Sequence, residues 1–286
     1  MDAIVPNPAI PLLFFVCSMV SPLISSLSLP LIIGPHDPTG AANLPVDAVI
    51  CAGQGLPAGS VITAIHIQDT SGVETIQRLS PELIDDQARC LLEDMAISAI
   101  KIGPQYDPET IAVLAQIAAD YSTLPLVLQL TTPPSMPDLD DLDPDDTLGA
   151  MLDLLVPQAS IVIMAPRQAE QWAQQGLMSA ASAANPIDAL LELGASHVLS
   201  CQPTPHAGFS LTLQSAESGG RHWPWPASLV RPDDRDSLLA TLLVCGLARG
   251  LPMVEACHQA VTTATTMMAH TLHPGMGQHI LRHTTS

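Results

Sequence analysis

Short β-branched apolar runs alternate with longer amphipathic stretches along most of this chain, and that alternation limits the fold to stacked βαβ units. Leu27–Ile33, Ser60–Ile67 (SVITAIHI), Ala99–Ile102, Leu126–Leu130, Ile161–Met164 and His197–Ser200 read as buried strands, the first closed by the Gly34-Pro35 turn signal. Ser80–Met95 reads as a helix with Ser80 as N-cap, Pro81 at its first position and an apolar face of Leu83, Ile84, Leu91 and Leu92. Ile111–Tyr121, Pro186–Leu193, Leu238–Ala248 and Pro252–His270 read as further helices, with Arg249-Gly250 as a C-terminal stop. The pattern predicts an α/β class with a mostly parallel central sheet flanked by helices. One domain is expected over residues 27–270, preceded by an apolar extension at 1–26 and followed by an exposed tail at 271–286.

The 286 residues hold 9 Lys+Arg against 28 Asp+Glu, a net charge of −19. A chain this acidic is repelled by nucleic acid and by anionic membrane surfaces, which excludes both as partners. Lys101 is its single lysine, and no basic residue precedes Arg78. The six scattered cysteines contain no C-x-x-C pair and read as reduced, buried thiols of a cytoplasmic protein. The apolar run Leu12–Ile24 lacks the positive flank of a signal peptide, and Pro11, Pro22 and Pro30 interrupt it as a membrane span. Met19, just upstream of the first strand, is the expected translation start.

Two stretches carry a family resemblance. Asp37-Pro38-Thr39-Gly40-Ala41-Ala42-Asn43-Leu44-Pro45-Val46-Asp47 follows the first strand and resembles a D-P-S-G-G-A-G-I-Q-A-D loop. Residues 59–87 resemble T-S-V-I-T-A-x-x-x-Q-N-T-x-G-V…S-P-E…Q, and Lys101-Ile102-Gly103 matches a following K-I-G. Both patterns are those of the hydroxymethylpyrimidine and phosphomethylpyrimidine kinases of thiamine biosynthesis. The resemblance implies a ribokinase-like three-layer fold, an aminopyrimidine substrate, ATP and Mg2+ as cofactors, and a homodimer.

On the pyrimidine side the resemblance makes Asp47 and Gln68 the substrate contacts. A carboxylate and a carboxamide together accept from and donate to an aminopyrimidine edge. The alternative is that Asp47 caps a helix and Gln68 closes a strand end. Pro35, Asn43 and Pro104 stand where the family has glycine, glycine and methionine.

On the phosphate side the family's G-T-G-C, whose backbone amides hold the transferred phosphoryl group, falls on Asp234-Arg235-Asp236-Ser237. Side chains at both glycine positions obstruct that cradle, and Asp233, Asp234 and Asp236 put negative charge in it. Asp234 or Asp236 is expected to cap the helix, with Arg231 and Arg235 paired to the acids or forming a different anion clamp. Gln129 replaces the family's acid after the central strand. Met164-Ala165-Pro166-Arg167-Gln168-Ala169 replaces T-P-N-x-x-E, with Glu170 one place late, and Cys201-Gln202 replaces the phosphate-binding K-G. Two functions follow. One is a pseudokinase that keeps part of the pyrimidine pocket. The other is an active ATP-dependent kinase with Ser237 or Asp236 as base and Arg235 on the nucleotide.

The Asp-rich 138–146 segment lacks the glycine and terminal glutamate of a calcium loop, so Asp145 or Asp146 is expected to cap the next helix. His270, His273, His279 and His283 lie in or beside the tail, where a weak metal site is the alternative to exposure.

Overall fold

The computed structural model describes residues 28–131, 143–165, 185–204, 208–216 and 219–282, together with Gln168, Trp172 and Gly176. The expectations for residues 1–26, for 138–142, for most of 166–170 and for His283 lie outside them.

A nine-stranded sheet in the order β3-β2-β1-β4-β5-β6-β7-β8-β9 forms the middle layer. Its strands are β1 (Leu29–His36), β2 (Gly59–Gln68), β3 (Val73–Arg78), β4 (Ile97–Ile102), β5 (Leu126–Gln129), β6 (Ile161–Met164), β7 (His197–Thr204), β8 (Gly208–Ser215) and β9 (Arg221–Trp225). β2, β1, β4, β5, β6 and β7 pair in parallel, and β3, β8 and β9 add antiparallel edges.

The helices are α1 (Asn43–Gly53), α2 (Pro81–Asp94), α3 (Pro108–Asp120), α4 (Pro144–Ala150), α5 (Pro186–Glu192), α6 (Pro232–Ala248) and α7 (Met253–Met268). One face of the sheet packs on α2, α3, α4 and α5 through Ile84, Ile111, Leu114, Leu148 and Leu190. The other packs on α1, α6 and α7 through Leu44, Ile50, Leu239, Val244 and Ala260. This is the three-layer arrangement expected from the alternation.

Ser80 accepts from the Leu83 amide and caps α2 as expected, with Pro81 in the first turn. Leu83 is exposed rather than on the apolar face, and Ala88 takes its place beside Ile84 and Leu92. Several boundaries differ from the sequence reading. β1 continues through Gly34-Pro35 to His36, because β2 stays paired to it through that dipeptide. α6 begins at Pro232, six residues before the apolar run, with Arg231 rather than Asp234 or Asp236 as the N-cap residue. Pro232, pre-set in φ and lacking a donor, fixes that start. Asp143, not Asp145 or Asp146, caps α4 by accepting from the Asp145 amide. Cys51, Cys245 and Cys257 are buried free thiols, whereas Cys90 is exposed.

Residues 271–282 are not a free tail. β10 (Thr271–Leu272) and β11 (Ile280–Leu281) pair antiparallel, and Leu281 is buried. The loop between them docks on the turn after β2, where Thr70 receives the Gln278 amide on its carbonyl and the Gly277 amide on its hydroxyl. His273 and His279 stack, with ring centroids 4.8 Å apart. Among the described residues, no helix is long and apolar enough to cross a membrane.

Candidate active site

The chain turns from β1 to β2 on one side of the sheet, while β4 to β7 extend it on the other. In doubly wound sheets ligands bind beyond the carboxyl ends of the strands at such a switch point. Here it lies between the ends of β1 and β4, where the Gly103 amide bonds the Ile33 carbonyl at 2.8 Å and Gly34 and Gly103 bring the two backbones together. The start of α6 covers the crevice, tied to β5 by Gln129 Nε2 donating to the Asp233 carbonyl at 3.3 Å.

The left wall is built on Asp37. Its Oδ1 accepts from the Thr39 amide at 2.8 Å, the Thr39 hydroxyl at 2.7 Å and Gln68 Nε2 at 2.5 Å, while Oδ2 accepts from the Ala42 amide. Gln68 Oε1 bonds His66 Nδ1 at 3.0 Å, and His66 Nε2 bonds the Tyr106 hydroxyl at 2.7 Å. The direction of each bond follows from Asp37, which only accepts. Gln68 therefore donates to Asp37 through Nε2 and accepts from His66 Nδ1–H through Oε1, which leaves Nε2 of His66 to accept from Tyr106. A neutral imidazole satisfies this chain. Burial also lowers the His66 pKa, and burial with the Asp37 and Asp233 charges raises that of Tyr106. Both polar ends of the Gln68 carboxamide are thus engaged within the protein.

Asp47 lies elsewhere. It sits in mid-α1, 1% exposed, and caps nothing. Lys101 Nζ donates to its Oδ2 at 2.6 Å and the Thr241 hydroxyl donates to its Oδ1 at 2.6 Å. Ser237 joins this group: its hydroxyl is 3.1 Å from Lys101 Nζ and 3.4 Å from Asp47 Oδ1, and it is fully buried. Asp47 and Ser237, expected on opposite sides of a bound substrate, are therefore neighbours beneath the crevice. The bridge between the two groups is Asn43. Its amide donates to Ser237 Oγ at 3.4 Å, and its φ of 60° opens α1 in a left-handed conformation that asparagine tolerates.

The phosphate-side residues gather at the first turns of α6. Arg231 pairs with Asp234 through two bonds of 3.2 Å. Burial raises the pKa of Asp233 and of Asp234 against the pull of Arg231. Asp236 is pushed up to about 7 by burial and by the charge of Asp233. Arg235 makes no ion pair with these acids, and its buried Nε has no hydrogen-bond partner among the described residues. Cys201 is pushed up to about 11 by burial and the nearby Asp236. Beside the ends of β6 and β7 a cleft of about 440 Å³ is lined by Met164, Gln202, Thr212, Gln214 and His222, with no lysine or arginine among the described residues that line it.

Asp37, His66 and Tyr106 were not singled out from sequence. The signals were present: Asp37 opens the resembling loop, and His66 occupies an inward position of an otherwise apolar strand.

The family model for phosphomethylpyrimidine kinase matches residues 37–282, from Asp37 to the docked C-terminal hairpin. The chain belongs to the phosphomethylpyrimidine kinase family. It is 28% identical to the hydroxymethylpyrimidine/phosphomethylpyrimidine kinase of Rhizobium meliloti (strain 1021), covering 86% of this chain and 93% of that one. Among solved structures, the phosphomethylpyrimidine kinase of Clostridium difficile 630 superposes with a TM-score of 0.66 at 22% identity, covering 83% of this chain and 98% of that one. The pyridoxal kinase of Staphylococcus aureus, solved with AMP-PCP and pyridoxal, superposes with a TM-score of 0.75 at 18% identity over 90% of this chain and 93% of that one. These two likenesses give the chain a ribokinase-like fold.

Proposed function

We propose that this member of the phosphomethylpyrimidine kinase family is a pseudokinase of thiamine biosynthesis. It keeps the fold and part of the pyrimidine pocket, and acts by binding rather than by phosphoryl transfer, as a cytoplasmic homodimer. The observation that carries the reading is the charge balance at the start of α6. Three aspartates occupy its first turns, and Arg231 is taken by Asp234. Lys101 is taken by Asp47. Among the described residues at the start of α6, Arg235 is left to face a triphosphate alone. Phosphoryl transfer rests on cations that offset the charge of the phosphates. ATP–Mg2+ therefore does not fit the residues described at this helix start.

A second reading, an active kinase with a rearranged site, is favoured by one observation. Asp236 is a buried carboxyl held near neutrality at the start of α6, which suits a general base.

Calorimetry with ATP–Mg2+ and with hydroxymethylpyrimidine separates the two readings. Pyrimidine binding without ATP–Mg2+ binding supports the pseudokinase. Tight ATP–Mg2+ binding with turnover of hydroxymethylpyrimidine or its phosphate establishes the kinase.

A further inference from the structure

We propose that Cys51 and Cys245 are a redox-active pair, which a peroxide joins in a reversible disulfide that locks α1 to α6 beneath the crevice. The lock does not depend on which ligand the crevice takes.

Cys51 lies near the end of α1 and Cys245 near the end of α6. Their sulfurs are 3.5 Å apart, although the residues are 194 apart in sequence. A disulfide has about 2.05 Å between its sulfurs, so the bond asks for a closure of about 1.5 Å. The helices are held together on both sides of the pair. One turn before it the Thr241 hydroxyl donates to Asp47 at 2.6 Å. Just after it the Arg249 guanidinium donates to the Gln54 carbonyl at the end of α1. These contacts keep the two thiols facing each other, whereas an unfolded chain must close a long loop to bring them together.

The two sulfurs are not equivalent. The Cys51 thiol beside it and the charges of Arg249 and Lys101 favour the thiolate of Cys245, against its burial and the charge of Asp47. Contact with Cys245, burial and the Asp47 charge hold Cys51 as a thiol. Cys245 is therefore the nucleophile. Its thiolate attacks one oxygen of the peroxide and breaks the O–O bond, giving a sulfenic acid and, with a proton taken up, water. The Cys51 sulfur, giving up its proton, then attacks the Cys245 sulfur and expels a second water. Two thiols are oxidised to the disulfide, and hydrogen peroxide is reduced to two waters.

Burial selects the oxidant. Cys51 is 0% and Cys245 1% exposed, so a bulky disulfide such as oxidised glutathione is kept out. A small uncharged peroxide enters through local openings of the folded state. Cys90, exposed on α2, is open to both.

The test incubates the full chain with hydrogen peroxide, beside a sample kept in dithiothreitol. Both are unfolded in urea with iodoacetamide and mapped by mass spectrometry without reduction. Expected is a linked peptide pair carrying Cys51 and Cys245, about 2 Da lighter than the two separate peptides and undone by dithiothreitol. Cys257, buried on α7, is expected to remain alkylated. The urea midpoint of the oxidised chain is expected to rise, because the link constrains 194 residues of the unfolded chain. Cys245→Ala abolishes both the link and the rise, and Cys90→Ser leaves both. Should Cys245→Ala fail to fold, the map and midpoint of the unaltered chain decide alone. Recovery of Cys51 and Cys245 alkylated, or as sulfinic acids, in a chain whose Cys90 is oxidised overturns the pair. So does a link that forms only when peroxide meets the urea-unfolded chain. A link with an unchanged midpoint overturns the lock.

Discussion

Asp47 and Thr241 form the middle rung of a three-rung ladder between α1 and α6. Asn43 meets Ser237 one turn above, and Cys51 meets Cys245 one turn below, with 3.5 Å between the sulfurs. Each rung joins residues 194 apart in sequence, so the two helices advance together in steps of four. Lys101 enters this seam from β4 and neutralises Asp47 at 2.6 Å. The pyrimidine-side loop and the phosphate-side helix are thereby held as one unit. Removing one member of a buried ion pair strands the other charge, typically at a cost of about 3–5 kcal/mol. Lys101→Met is expected to lose about that much stability, and the double variant Lys101→Met/Asp47→Leu to recover much of it, as measured by urea unfolding.

This ladder was hidden in the sequence, although its parts were quoted from it. The parallel strands were legible because β1, β4, β5 and β6 are buried on both faces and appear as continuous apolar runs. β9 (RHWPW) was missed because its Pro224 argues against a strand. Proline is tolerated there only because β9 ends the sheet. Asp47 was legible as a residue with a role, but not its partner. Nothing local signals that Lys101, 54 residues away, turns inward to meet it. The start of α6 was recoverable from Pro232, and the acids after it diverted the reading to Asp234 and Asp236.

Gly246 marks the closest approach of α6 and α7. A Cβ built there lies 3.0 Å from Ala256 Cβ and 3.3 Å from its Cα, so α7 must give way by a few tenths of an ångström to admit it, and the two further methyls of valine ask for more. Overpacking of this kind costs about 1–3 kcal/mol. Gly246→Val is expected to fall in that range by chemical denaturation, whereas Gly149→Ala, with open space around it, is expected to leave stability unchanged or slightly improved.

The docked C-terminal hairpin sets the turn that follows Gln68. A Cβ at Gly277 would overlap the Thr70 carbonyl and the Ser71 amide, so Gly277→Ala must displace the hairpin or the turn. The expected result is faster hydrogen exchange at the Gln278 amide, which loses its bond to Thr70, and easier proteolysis between residues 272 and 280. Protection in the α6 core should be unchanged. Protection at Gln278 equal to that of the unaltered chain would show that the hairpin is held by other contacts.

The start of α6 gives the fold a stability that declines with pH. Folded chains keep the Asp236 proton up to about pH 7, whereas unfolded chains release it near the ordinary aspartate value of 3.8. Between these limits the folded state binds more protons, so its stability falls as pH rises. Asp233 and Asp234, also raised, act in the same direction. His66 acts oppositely: its pKa is lowered by burial, so its contribution is lost on acidification through the ordinary histidine range. A carboxamide at 236 keeps the shape and removes the charge. Asp236→Asn is expected to flatten the decline between pH 5 and pH 8 and to stabilise the protein at pH 8 by up to about 4 kcal/mol, the size of the gap between the two pKa values. Urea midpoints of both proteins at the two pH values provide the measurement. An unchanged slope would mean that Asp236 is ionised in the folded chain at all these pH values, and that the acids at this helix start are more strongly compensated than their burial implies.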